Sequence, residues 1–191
     1  ASLAALGDFA RNLEHLRRAQ ALAESAGDER RLGWTSAYLA QSHYTLGDQA
    51  AAIVAATRAR EIAERLGDLP MRVVALAGLG QAYHVLGDYS RSRALFEDAL
   101  GDLEGELARE RFGMAGLVSV ATRVWLVNSL VGMGDFEAAV ARAREAMRLA
   151  EPTDHPWSVA AAHVALGFAH LTRGDLEAAR SVLERGLGRA R

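Results

Sequence analysis

A Gly-Asp pair returns along this chain at a nearly constant interval: Gly7-Asp8, Gly47-Asp48, Gly87-Asp88, Gly134-Asp135 and Gly174-Asp175. The steps between these glycines are 40, 40, 47 and 40 residues, so the repeat occupies most of the 191 residues. A period of this size marks stacked supersecondary units, none of which can bury its apolar face alone. Helical patterns flank each pair. Trp34, Tyr38, Leu39 and Leu46 space out one run, and the Ala-rich stretch from Gln49 to Leu66 makes the next before closing at Gly67-Asp68. Glycine accepts the left-handed backbone that ends a helix, and aspartate caps the helix that follows. The pair therefore reads as the tight turn of a helical hairpin.

Superposed on the turn glycine, the units agree on small residues. Five positions beyond it stand Asn12, Ala52, Ser92, Ala139 and Ala179, with Asn12 the weakest member; twelve beyond stand Ala19, Ala59, Ala99, Ala146 and Gly186. Seven before it stand Ala40, Gly80, Val127 and Gly167. Small side chains at fixed places allow two helices to approach closely. A helix is expected from about Phe9 to Ala26, followed by four helical pairs. The 47-residue step places a seven-residue insertion near residues 101–113, a charged stretch broken by three glycines. Pro156 suits the first turn of a helix, where its missing N–H costs nothing.

Composition removes several classes of function. A formal charge of −2 and an isoelectric point near 6.3 leave no basic footprint for nucleic acid. All 22 basic residues are arginine. The absence of lysine, which codon bias in a GC-rich bacterium explains, still removes a P-loop lysine and a Schiff-base lysine. With no cysteine there is neither a disulfide framework nor a thiolate metal site. No apolar run approaches the ~20 residues of a membrane span, and the first residues lack the pattern of a signal peptide. A cytoplasmic location is expected.

The stretch Leu79-Gly80-Gln81-Ala82-Tyr83, followed by Gly87-Asp88-Tyr89, Phe96 and Ala99-Leu100, resembles the tetratricopeptide repeat (TPR) signature. Leu166-Gly167, Gly174-Asp175-Leu176, Ala179 and Leu183 resemble it again. The units at Gly47 and Gly134 depart from it, since Ala56 and Ala143 replace the large residue held by Phe96. The period also exceeds the family's usual one and the closing proline is missing. Instead, the second helix runs on through Glu61 to Leu66, six residues that add about 9 Å of helix. The resemblance implies an all-α fold, a right-handed α-solenoid of about nine helices in antiparallel pairs, with residues 1–191 forming one array. The chain starts within a unit and has no evident polar capping helix, so a fragment of a larger protein is expected.

A narrower resemblance rests on Leu103-Glu104-Gly105-Glu106 through Glu110-Arg111-Phe112-Gly113, on Val124-Trp125-Leu126 with Gly134-Asp135-Phe136, and on Asp154-His155-Pro156 through Gly174-Asp175-Leu176. These are similar to the repeat region of large bacterial signalling ATPases, including those with a nucleotide cyclase or DNA-binding domain. That implies a scaffold or sensor arm, with no catalytic motif in the chain itself.

No catalytic constellation can be assembled, so the chain is read as a non-enzyme without metal or cofactor. His43 and His170 lie four residues before a turn glycine, where Tyr83 stands in another unit, and read as packing residues with a polar tip. His163 and His170, about 10 Å apart along one helix, cannot share an ion. His15, His84 and His155 have no convergent partners. Arg173-Gly174-Asp175 is a copy of the hairpin turn, and Gly78-x-Gly80 reads as close helix packing.

What remains is a surface. In the resemblance, the first helix of each pair lines a concave groove, at positions held by Trp34, Val74, Ala121 and Ala161, by Tyr38, Gly78, Trp125 and Ala165, and by Gln41, Gln81, Asn128 and Phe168. Trp34, Tyr38, Gln41, Gln81, Trp125, Asn128 and Phe168 are the candidate partner-binding residues. Their lining is aromatic and amide-bearing with scarcely a charge, which suits an apolar or neutral protein segment, possessed by a partner or by the parent protein. Two alternatives are a small-molecule effector stacked on Trp34 or Trp125, and self-association through the array ends.

Overall fold

The computed structural model describes residues 9–112, 114, 116–153 and 155–189. The turn expected at Gly7-Asp8, the residues before it, and Gly113, Asp154 and Arg191 lie outside them. The described residues hold nine α-helices and no strand. The chain divides into two compact units, Ala1–Asp88 and Tyr89–Arg191. The first contains α1 (Phe9–Ser25), α2 (Glu29–Thr45), α3 (Gln49–Leu66) and α4 (Leu69–Val85). The second contains α5 (Tyr89–Gly101), α6 (Val118–Gly132), α7 (Phe136–Ala150), α8 (Pro156–Arg173) and α9 (Leu176–Arg189), with short 3₁₀ turns at Gly105–Arg109 and Glu151–Thr153.

The Gly-Asp pair works as a two-sided cap. Gly47, Gly134 and Gly174 have φ of 82°, 78° and 89°, in the region that side-chain-bearing residues avoid. At the first, Gly47 N–H donates to the Tyr44 carbonyl at 3.1 Å and Asp48 N–H to the His43 carbonyl at 2.9 Å, closing α2. The Asp48 carboxylate then accepts from Ala51 N–H at 3.0 Å, opening α3. Asp135 accepts likewise from Ala138 and Asp175 from Ala178, at 3.2 and 3.3 Å. One aspartate thus ends one helix with its backbone and starts the next with its side chain. The first unit uses the same device between hairpins, at Gly27-Asp28 and Gly67-Asp68, where both glycines have φ of 63°.

Packing follows the small-residue register. Ala59, Ala99 and Ala146 are fully buried, as are Ala52, Ser92 and Ala139. Asn12 looked out of place, and its contact explains it: its amide donates to Ser42 Oγ at 2.9 Å. Ser92 and Ser129, the equivalent positions of a later layer, share a hydrogen bond of 2.9 Å. Where the first partner is Ala52 or Ala139, the second is Ala82 or Ala169, and all four alanines are buried. At this place in the register polar residues correspond to polar ones and alanines to alanines.

In the first unit Ile62, Ala63 and Met71 form a cluster on which Leu32 and Trp34 pack, while Ala37, Ala59 and Ala75 form another with Val74. Gly33 is what lets α2 sit this close: a Cβ there would collide with Met71 Sδ and lie 2.8 Å from Ile62 Cγ2. Gly78 differs from the close-packing reading, since a Cβ there would meet only Ala56, at 3.8 Å. In the second unit Phe96 is fully buried, and Leu117, Val120, Ala146, Ala150, Val159 and Ala162 make a continuous core.

Between α5 and α6 the repeat is interrupted. α5 has 13 residues against 18 in α3, and the chain leaves it through a 3₁₀ turn. Leu103 and Ala108 anchor this segment in the core, and the Ser119 hydroxyl donates to the Ala108 carbonyl. Leu117 N–H donates to Ser158 Oγ at 3.0 Å, which ties the segment's far end to α8.

Candidate binding surface

Trp34, Tyr38 and Gln41 lie on one stripe of α2, at the i, i+4, i+7 spacing that aligns side chains along a helix. The Trp34 and Tyr38 rings meet with centroids 6.0 Å apart and planes inclined by 31°. Trp34 is half-buried, because part of its indole packs on the Ile62, Ala63 and Met71 cluster. Tyr38 is 43% exposed. Both open onto a groove of about 750 Å³ between α1 and α2, floored by Ala19, Leu22, Ala23 and Thr35.

The reason for the groove lies in the repeat. Leu22, on α1, is 70% exposed; its counterpart 40 residues on, Ile62, is 2% exposed because α2 covers it through Leu32 and Trp34. Ala19 is exposed where its counterpart Ala59 is buried. The α1–α2 groove is the surface that a helix occupies in the following layer.

Its lining departs from the nearly uncharged surface expected from the sequence. Asp28, Arg30 and Arg31 close one end. Arg30 Nε lies 3.0 Å from Asp68, and Arg31 Nε 3.4 Å from Asp28, so both guanidiniums are held locally. Gln41 is exposed beyond the groove and Gln81 is half-buried on α4; neither lines it. In the second unit Trp125 and Asn128 are half-buried on α6, and Phe168 on α8 is 38% exposed. α6 and α8 pack against each other, so these three share a pair of neighbouring helices.

The histidines serve the turns and the core. His43 Nδ1 lies 3.7 Å from Asp48, and His170 Nδ1 lies 3.4 Å from Asp175, the same contact at two copies of the hairpin. Burial lowers the His170 pKa from its ordinary 6.5, and the Asp175 carboxylate opposes that shift only in part. His163 is buried with Nδ1 3.2 Å from the Val182 carbonyl. His155 caps α8 by accepting from Ser158 N–H at 3.3 Å. Arg173 and Asp175 bond to each other at 2.8 Å, so that triplet is closed on itself. Among the described residues no three metal-ligating side chains converge, and no helix is long and apolar enough to cross a membrane.

The sequence reading missed a second cavity, of about 650 Å³, walled by α5, the interrupted segment, α6 and α7. Glu97, Leu100, Leu103, Arg123, Arg142 and Leu149 line it, among others. A signal for it exists in the register. Eleven residues before the turn glycines stand Ser36, Leu76, Arg123 and His163, and the arginine falls in the interrupted repeat.

Three segments of the chain, 73–98, 120–145 and 160–185, match the family model of the tetratricopeptide repeat. Comparison with curated proteins yields no match. Among solved structures, the chain is similar to a Rap protein complexed with Competence and Sporulation Factor, at 17% identity and a TM-score of 0.80, over 97% of this chain and 50% of that one. BtubC (BKLC) from P. vanneervenii is similar at 16% identity and a TM-score of 0.78, over 96% and 73%. A signal transduction ATPase with numerous domains and a tetratricopeptide repeat sensor, from Pyrococcus horikoshii, is similar at 17% identity and a TM-score of 0.68, over 100% and 27%. At these identities the likeness is one of fold: repeated helical hairpins.

Proposed function

We propose that this chain, which carries tetratricopeptide repeats, is a non-catalytic scaffold that binds a protein segment through an apolar face, as an arm of a larger bacterial signalling protein. The observation that carries the reading is the α1–α2 groove, where Leu22 and Tyr38 expose apolar surface beside Trp34. Its floor is the counterpart of a surface that α2 covers one layer on, so a helical segment is the favoured occupant. Aromatic side chains held rigid by a core are the residue types that most often anchor interfaces. Two of the structural relatives are in keeping with this: one was solved with Competence and Sporulation Factor bound, and another carries its repeats as a sensor.

The test uses Leu22→Asp with Tyr38→Ser, which alters exposed surface and leaves Trp34 on its core cluster. The parent chain and this variant serve as baits in quantitative affinity capture, with helicity checked by circular dichroism. A protein retained by the parent and lost by the equally helical variant supports the groove. Equal capture by both refutes it. A concentration-dependent mass that the variant abolishes would make a second copy of the chain the occupant.

A further inference from the structure

The interrupted repeat holds an arginine where the other repeats hold core residues. Ser36, Leu76 and His163 are each no more than 2% exposed at the equivalent position. Arg123 follows them inward: its side chain is 14% exposed. Burial lowers its pKa, and Arg142 and Arg148 add to that effect while Glu145 opposes it. A guanidinium is expensive to desolvate, and it persists in such a place only with acceptors around it.

The acceptors supplied by the described residues do not exhaust it. Nη1 donates to the Ser119 carbonyl at 3.1 Å, and Nε reaches Glu145 at a long 3.5 Å. Glu145 is shared with Arg142, which holds it more closely at 3.0 Å. A guanidinium presents five N–H donors in a planar fork, and Arg123 and Arg142 both face the 650 Å³ cavity. The other walls are apolar, from Leu100, Leu103 and Leu149. Glu97 also lines it, with its carboxylate held by Arg93 at 3.0 Å, and so does the exposed Glu104. Among the lining side chains Arg123 and Arg142 thus stand against Glu97 and Glu104, with Glu145 shared by the two arginines.

We infer that this cavity is a binding site for a small monocarboxylate with an apolar body, its carboxylate on Arg123 and Arg142 and its hydrocarbon against Leu100, Leu103 and Leu149. Glu97 and Glu104 repel a phosphate dianion more strongly than a monoanion, and phosphate has no hydrocarbon to set against the leucine wall. A planar carboxylate also fits the guanidinium fork. The site belongs to the segment that breaks the repeat: α5 stops five residues short of the length of α3, and Leu103 from the following segment forms a wall instead. No counterpart in the other repeats joins an arginine at this position to such a wall.

The probe is hexanoate, with hexanol as its uncharged isostere and inorganic phosphate as the competing anion, titrated into the whole chain by calorimetry and by thermal melting. Hexanoate is expected to bind and raise Tm with concentration. Hexanol is expected to bind about ten- to a hundred-fold more weakly, the worth of a charge-assisted hydrogen bond. Arg123→Leu copies Leu76 and so should fold, and it should weaken hexanoate by a similar factor. Arg142→Gln, at a partly exposed side chain, is the second variant and should weaken it several-fold. Hexanol binding as tightly as hexanoate, phosphate binding as tightly as hexanoate, undetectable binding of hexanoate, or unchanged affinity in Arg142→Gln would each overturn the assignment.

Discussion

Gly33 and Gly78 offer the same chemical change with opposite expected signs. Both lie inside helices, α2 and α4, and replacement by alanine adds one methyl group to each. The intrinsic gain is common to both, about 0.8–1 kcal/mol in favour of alanine in a helix interior. At Gly78 the new methyl would meet only Ala56 Cβ, at the ordinary contact distance of 3.8 Å, so the gain should be kept. At Gly33 it would collide with Met71 Sδ and lie 2.8 Å from Ile62 Cγ2 and 2.9 Å from Met71 Cε. Met71 is 0% and Ile62 2% exposed, so either side chain can withdraw only by displacing other core atoms. Overpacking of this kind costs about 1–3 kcal/mol. Gly78→Ala should therefore stabilise the chain by about 1 kcal/mol, and Gly33→Ala should destabilise it by up to about 2 kcal/mol. Urea titration followed by circular dichroism, with thermal melting beside it, reads both. A difference of 1 kcal/mol corresponds to about 2–4 °C for a domain of this size. The cause is checked by repeating Gly33→Ala on a Met71→Ala background. There the two contacts with Met71 are gone and only Ile62 Cγ2 remains close, so the penalty should fall by about 1 kcal/mol or more. Equal shifts for Gly33→Ala and Gly78→Ala, or an unchanged penalty on the Met71→Ala background, would refute the packing argument.

Other outcomes follow from the caps, the paired serines and the turn histidine. Asp135→Ala removes the acceptor for Ala138 N–H and should cost about 1 kcal/mol, read as a lower urea midpoint at unchanged slope. Ser129→Ala removes the 2.9 Å hydrogen bond that Ser129 shares with Ser92 and should cost about 0.5–1.5 kcal/mol. Adding Ser92→Ala should recover much of that loss, since buried Ala139 and Ala169 show an all-alanine layer; a double variant as unstable as the sum of the singles would contradict this. The folded-state pKa of His170 lies below its ordinary 6.5, so the unfolded chain binds the proton more readily. This contribution to stability is fully present above pH 6.5 and is lost as pH falls through the lower folded value. Asp175 also has a lowered pKa, held down first by Arg173, and its contribution is lost only at still lower pH, below 3.8. Urea midpoints measured from pH 7.5 down to about pH 5 should decline, and His170→Gln should flatten that decline; identical profiles would count against it.

The reading of the chain from its residues and the arrangement in space agree where the causes are local. Glycine's tolerance of positive φ and aspartate's capping act within a few residues, so the helix ends at Gly47, Gly134 and Gly174 were legible in the spacing alone. The fold class was legible for the same reason, because a 40-residue period with small residues in register leaves few other ways to bury an apolar face. Contacts between helices were not. That Trp34 divides its ring between a core cluster and an open groove depends on Met71 and Ile62, more than 25 residues away. That Asp28, Arg30 and Arg31 give this groove a charged end depends on where α1 lies against α2. Arg123 reads in one dimension as one more arginine on a solvated helix face. Only the packing of α5, α6 and α7 buries it, and only the shortened α5 leaves a cavity in front of it. Local backbone chemistry set the turns and the register, whereas burial, which belongs to no residue by itself, decided which side chains became surfaces and which became sites.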